Sequence, residues 1–169
     1  MTEIEKLFRD HADDVYHFLV YYTRQRDVED LVQETFIKAL RSIGHFEKRS
    51  SEKTWLITIA RRVAIDESRR RRDLPLAQDD LAERTDSLAM DTTQQVIAKE
   101  SADELMGQVH QLPEKQRDVM LLRGISELTT AEVADVLNMN RTSVYVTYHR
   151  ALKKLKQNWG RTGGMTRET

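Results

Sequence analysis

The chain has 169 residues, enough for one domain or two small ones. With 33% charged residues, 39% hydrophobic residues and only two prolines, it has the profile of a helix-rich globular protein and not of a disordered one. Cysteine is absent, which excludes a disulfide framework, a thiol nucleophile and a thiolate zinc site, and 27 Lys+Arg against 28 Asp+Glu leave a net charge of -1 that names no partner.

Apolar residues recur at helical spacing along nearly the whole chain, and no segment alternates as a half-buried strand would. On a first helix, Leu7, Phe8, Val15, Phe18, Leu19 and Tyr22 share one side. Residues 18–22 form the longest aromatic-aliphatic run, far short of the roughly 18 apolar residues of a membrane span. Acidic Glu3 and Glu5 stand where a secretion leader is basic and then apolar, so the expected location is the cytoplasm. A second helix starts with Asp27 as N-cap, carries Val28, Val32, Phe36, Ala39, Leu40 and Ile43 on one face, and ends at Gly44. A polar loop at residues 45–53 leads to a third helix, from about Thr54 to Arg71.

Residues 74–93 mix Pro, Asp, Ser and Thr with weak periodicity and read as a linker. Beyond them Val96, Ile97, Leu105, Met106 and Val109 pattern a fourth helix, broken at Leu112-Pro113. Pro113 suits the first turn of a fifth, which carries Val119, Leu121 and Leu122 and stops at Gly124. Thr130 caps a short sixth helix with Val133, Ala134 and Leu137. Asn138 suits a left-handed turn, and Asn140 caps the last helix, from Arg141 to about Trp159. The expected architecture is all-α: a domain at 1–72, an acidic linker at 73–93, a second domain at 94–159 and a disordered tail at 160–169.

Charge falls into blocks. Residues 61–72 hold six arginines against Asp66 and Glu67; residues 73–104 hold nine acids against Arg84 and Lys99; residues 136–167 hold seven cations and no acid. Two basic segments around an acidic connector suit two contacts with a polyanion, although solvated helix faces of alternating sign leave the same pattern. The short helix, tight turn and longer helix at 130–154 have the layout of a helix-turn-helix. Val144, Tyr148, Ala151, Leu152 and Leu155 share its core-facing sector. Opposite lie Thr142, Tyr145, Val146, His149, Arg150 and Lys153, a mixture of base-edge donors and phosphate-seeking cations, and Arg141, Thr142 and Ser143 enter a major groove first. His149 has no second ligand at helical spacing, so no metal is expected there.

On the third helix Trp55, Leu56, Ile59, Ala60 and Val63 form the apolar side, while Thr58, Arg61, Arg62, Arg69 and Arg72 cluster opposite, interrupted by Ile65. Arginines at that density repel one another unless a polyanion neutralises them. The preceding loop, residues 46–53, offers an aromatic ring and small polar groups that suit an unstacked base, although Phe46 and Trp55 taken singly are more often core residues.

The ordered set Asp27-x-x-Asp30-x-x-Gln33-x-x-Phe36, Thr54-Trp55-Leu56-x-x-Ile59-Ala60-Arg61, Ile65-Asp66-x-x-Arg69, Leu112-Pro113 and the final helix-turn-helix closely resembles the extracytoplasmic-function group of the sigma-70 family of bacterial initiation factors. Within the group, residues 49–56 most resemble the sigma-X-like members. The resemblance implies that the second helix docks, through Asp27, Asp30, Gln33, Glu34 and Lys38, on the β′ clamp of core RNA polymerase, which also contacts this chain through its β subunit. Asp27 and Asp30 also complement the helix N-terminus, and both roles are compatible. It implies that Phe46, Lys48, Arg49, Ser50, Lys53, Trp55, Thr58, Arg61, Arg62 and Arg69 read and melt the −10 promoter element. It implies that Arg141, Thr142, Ser143, Tyr145, Thr147, His149, Arg150 and Lys153 read the −35 element as duplex, with the acidic linker threading the polymerase's RNA path. No catalytic residue, cofactor, metal or small-molecule substrate is implied. An anti-sigma factor, often membrane-bound, is implied as the silencing partner, which would hold the cytoplasmic factor at the inner face of the membrane.

Three positions depart from the family's usual pattern. Asn138 replaces a common glycine, Tyr145 and Thr147 stand where a basic pair is frequent, and Arg62 stands where Asn is common, so no promoter consensus carries over. Other classes fit less of the chain. A stand-alone helix-turn-helix regulator with an N-terminal effector bundle leaves the arginine face and acidic linker without a role. An enzyme built on Asp13, Asp14 and His11 or His17 lacks any metal or triad motif. A helical adaptor without nucleic acid is disfavoured by the two basic segments.

Overall fold

Thr2 opens the first helix with a reciprocal cap: its hydroxyl accepts from the Glu5 N–H at 3.3 Å, and the Glu5 carboxylate accepts from the Thr2 N–H at 2.8 Å. These bonds, the backbone one foremost, hold the Glu5 carboxyl below its ordinary range. The structure is a computed structural model describing the backbone of residues 1–74 and 93–163 and the side chains of 1–74 and 101–161. Its regular elements are α1 (Glu3–Thr23), α2 (Glu29–Ser42), α3 (Glu52–Arg72), α4 (Thr93–Gln111), α5 (Glu114–Gly124), α6 (Thr130–Leu137) and α7 (Arg141–Gly163), with a 3-10 turn at Ile43–His45. The all-α class stands, and among the described residues there is no strand. The chain divides into two units, Met1–Ser87 and Leu88–Thr169.

In the first unit α1, α2 and α3 pack pairwise around Phe18, Leu19, Val28, Leu56, Ile57 and Val63, all essentially inaccessible. Burying each such side chain contributes roughly 1.5–3 kcal/mol, so this cluster fixes which faces of α2 and α3 remain outside. In the second unit α5 packs on α7 and α4, and α6 on α7, around Val119, Leu121, Leu122, Leu128, Val133 and Val144.

Several boundaries and faces differ from the periodic reading. The N-cap position of α2 is Val28, whose carbonyl accepts the first helical bond from Val32 at 2.9 Å; Asp27 accepts only a long bond from the Glu29 N–H, 3.4 Å. Leu40 is 53% exposed, because a step of about 100° from inaccessible Ala39 carries it off the core. Leu105 is likewise exposed, and Ile43 is half-buried in the 3-10 turn that ends α2 before Gly44. The third helix begins at Glu52, because Ser51 and not Thr54 supplies the cap: its hydroxyl accepts from the Thr54 N–H at 3.1 Å. The cap of α6 is Thr129, whose capping box with Glu132 displaces Thr130 into the first turn. The last helix continues past Trp159 to Gly163, so residues 160–163 are helical. Residues 75–92, which hold nearly all of the expected linker, and 164–169 lie outside the described residues, as do the side chains of Val96 and Ile97.

Candidate nucleic-acid interface

Three surfaces carry the residues singled out by sequence. The first is the outer face of α2. Asp27, Asp30 and Gln33 are exposed there, as expected. Glu34 and Lys38 are half-buried and paired at 3.3 Å, and the Lys38 ammonium also lies 3.9 Å from Asp66 of α3. The structure adds two residues to this ridge that periodicity had missed or misplaced, Ile37 at 50% and Leu40 at 53% exposure. The signal was present: positions 30, 33, 37 and 40 follow the three-and-four spacing of one helix face. Phe8 of α1 is 49% exposed as well, set edge-on against Phe36 at 4.9 Å. The face is an aliphatic pair framed by carboxylates, a composition that suits a partner helix with apolar and basic side chains.

The second surface is the loop before α3 and that helix's basic side. Phe46 closes the 3-10 turn, its N–H donating to the Ile43 carbonyl at 3.2 Å, and its ring stacks on Trp55 with centroids 4.5 Å apart and planes at 25°. Both rings are half-buried, so each is partly core and partly platform. Lys48 takes a left-handed backbone, φ 54°, which bends the loop tip and sets Arg49 beside Glu47 at 2.8 Å in full exposure. Ser50 is half-buried. Lys53 falls on the helix, 3.9 Å from Asp14, and the neighbouring Glu52 lies 3.5 Å from the His11 ring, so both ends of this contact moor the loop's exit to α1. The Thr58 hydroxyl is spent on the Thr54 carbonyl at 2.8 Å. Arg61 is half-buried, whereas Arg62, Arg69 and Arg72 are exposed. Glu67 takes up the two arginines that fall outside this group, Arg70 at 2.6 Å and Arg71 at 3.2 Å.

The third surface is the helix-turn-helix. Asn138 adopts φ 53° and ψ 47°, the left-handed conformation its side chain tolerates, and its N–H closes on the Ala134 carbonyl. Asn140 then caps α7, its side-chain oxygen accepting from the Ser143 N–H at 2.7 Å. Val144, Ala151 and Leu155 are buried, fixing the rotation of α7. Arg141, Thr142, Tyr145, His149, Arg150 and Lys153 are exposed; Ser143 and Thr147 are half-buried at the edge of the strip. The exposed Lys154 and Lys156 belong to the same helix and were not singled out by the sequence. Arg123 of α5 braces α7 from behind, donating to the Leu128 carbonyl at 3.1 Å while its guanidinium lies 5.1 Å from the Tyr148 ring centroid. Among the described residues, no carboxylate pairs with Arg141, Arg150, Lys153 or Lys154.

Two helical units, the second ending in a helix-turn-helix whose long helix is acid-free and basic outside, define a DNA-binding transcription protein. Residues 7–73 match the family described as Sigma-70 region 2, and residues 102–155 match Sigma-70, region 4. The ECF RNA polymerase sigma factor SigX of Bacillus subtilis (strain 168) is 35% identical over 89% of this chain and 80% of its own length. The RNA polymerase sigma factor YlaC of the same strain is 31% identical over 92% and 91%. The structure of the Bartonella quintana sigma factor RpoE, solved with the anti-sigma factor NepR, shares the fold at a TM-score of 0.70 and 20% identity over 93% of this chain and 96% of that one. The chain belongs to the extracytoplasmic-function group of the sigma-70 family, a family of initiation factors and not of enzymes. Among the described residues, no helix is long and apolar enough to cross a membrane.

Proposed function

We propose that this sigma factor docks on core RNA polymerase through the outer ridge of α2, holds the melted −10 strand between the Phe46–Trp55 platform and the basic side of α3, and reads the −35 duplex with α7. The observation that supports it best is the distribution of outward-facing groups. Carboxylates and aliphatics face out on α2, and the half-buried Phe46–Trp55 pair sits at the entry to α3 with exposed Arg62, Arg69 and Arg72 further along that helix. The last helix, α7, exposes cations that, among the described residues, have no carboxylate partner. Flipping a base out of duplex costs a few kcal/mol, whereas stacking it on an aromatic ring returns about 1–3 kcal/mol. The platform alone at best about balances the flip, and Arg62, Arg69 and Arg72 add to it through the phosphates. No nucleotide hydrolysis is needed, since binding only the open strand shifts the equilibrium towards it.

The factor acts in the cytoplasm without a catalytic step of its own. An anti-sigma factor covers the same α2 and α7 surfaces and, where it is membrane-anchored, holds the factor at the inner face of the membrane. The acidic segment at 73–93 follows the polymerase's RNA path. The test is equilibrium binding of the full chain to bacterial core RNA polymerase, read by anisotropy of a label on the C-terminal tail. Tight one-to-one binding that is lost on reversing Asp27 and Asp30 to lysine is expected. No binding at micromolar concentration by a folded protein that still binds duplex DNA would give the stand-alone regulator instead.

A further inference from the structure

One outward side chain of the reader helix can make no hydrogen bond. Val146 is 37% exposed, one turn beyond Thr142 and one turn before Arg150, on a strip whose other members are polar or cationic. Helix propensity does not account for it, since a β-branched residue lowers it, and more than a third of the residue's surface stays open in the middle of the strip. The same branching gives it a use. A helical valine keeps one preferred χ1, so its two methyls hold a fixed position and lose little freedom on contact. The bulkier neighbour is drawn along the helix: the Tyr145 ring leans on His149 with centroids 4.2 Å apart. Exposed Arg150 and Lys153 lie one and two turns beyond the valine on the same face, cations of the kind that hold phosphates and fix a helix's depth in a groove.

We infer that Val146 is a specificity-determining residue that reads thymine through its C5-methyl group, an assignment resting on α7 as the reader of −35 duplex. In the major groove thymine alone presents a methyl, so an aliphatic tip gains an apolar contact there and nothing at cytosine. One methyl removed from water corresponds to about a fourfold change in affinity.

The experiment uses holoenzyme assembled from core RNA polymerase and the full chain. A random-sequence duplex pool is enriched on it, and the best duplex is remade with each thymine in turn replaced by deoxyuridine, which deletes only the methyl. Wild type is expected to lose about fourfold in affinity at one thymine within the enriched upstream element, and Val146→Ala to bind the thymine and deoxyuridine versions alike. The alanine variant folds normally, the valine being outside the core, and thermal melting verifies it. An enriched duplex that shows no methyl sensitivity, or sensitivity that survives in Val146→Ala, overturns this inference and leaves DNA reading by α7 intact. A pool from which nothing upstream is enriched overturns both. Lost core-polymerase affinity in Val146→Ala, with methyl sensitivity unchanged, overturns it in favour of a protein contact.

Discussion

Replacing Ile37 and Leu40 together by alanine tests whether α2 docks by apolar contact as well as by charge. Full burial of an Ile or Leu side chain is worth about 1.5–3 kcal/mol. With 50% and 53% of these residues still open, a partner has about half of that left to gain at each, roughly 1 kcal/mol. The pair then contributes about 2 kcal/mol, or roughly a 30-fold loss of core-polymerase affinity in the double variant. Folding is not expected to suffer, because alanine has the higher helix propensity and neither side chain fills the core. The assay is a titration of labelled sigma factor with core polymerase at two salt concentrations, with a thermal melt as control. Salt separates the two contributions: the apolar loss stays constant, whereas reversing Asp27 and Asp30 has an effect that shrinks as screening rises. Core affinity within twofold of wild type, in a variant that melts normally, refutes the apolar part of the docking face.

Other outcomes follow from the remaining surfaces. Arg150→Ala with Lys153→Ala should lower the salt slope of duplex binding by about 1.8, two phosphate contacts at 0.9 each, and an unchanged slope removes them from the interface. Phe46→Ala should weaken binding of holoenzyme to a single-stranded −10 oligonucleotide by about 1–3 kcal/mol while duplex −35 binding is unaltered; equal losses on both would point to a general folding defect. Asn138→Ala should cost about 1 kcal/mol in stability through its left-handed backbone, and Asn138→Gly should stay within about 0.5 kcal/mol of wild type, as denaturant melts will show. Glu5, whose pKa is lowered in the fold, gives its cap in full above the ordinary value of 4.5 and loses it as pH falls through the lowered one. Protection of the first-turn amides of α1, measured against their intrinsic exchange rates at each pH, should fall over that window, and the same fall in Glu5→Gln would rule out the carboxylate as its cause.

The helices were legible because three-and-four spacing is a local property. Leu7, Val15, Phe18 and Leu19 of α1, Leu56, Ile59, Ala60 and Val63 of α3 and Val144, Ala151 and Leu155 of α7 are buried where it puts them. Phe8, by contrast, is exposed, and Tyr22, Trp55, Tyr148 and Leu152 sit half-buried at the edges of those faces. Cap positions were harder where two candidates adjoin. Thr129 and Thr130 look alike until Glu132 is counted three residues on, which selects the first; Thr2 and Glu5 repeat the pattern. The face of Leu40 was misread by extending an apolar run past the sector that α1 and α3 cover, although Ile37 at its side already marked the outer ridge. Nothing local announced that Phe46 stacks on Trp55 across a bent loop, or that Arg123 reaches both Leu128 and Tyr148. Such contacts arise where chain segments return to one another, and no period records them.

The Lys38 ammonium, shared between Glu34 on α2 and Asp66 on α3, is a direct ionic tie between the helix proposed to face polymerase and the helix proposed to face the opened strand. Its groups are 39%, 44% and 60% exposed, so each pairing is worth at most about 1 kcal/mol. Under those proposed roles thermodynamic reciprocity makes that a ceiling in both directions: through this tie, polymerase binding would raise affinity for the strand, and the strand for polymerase, by about fivefold and no more.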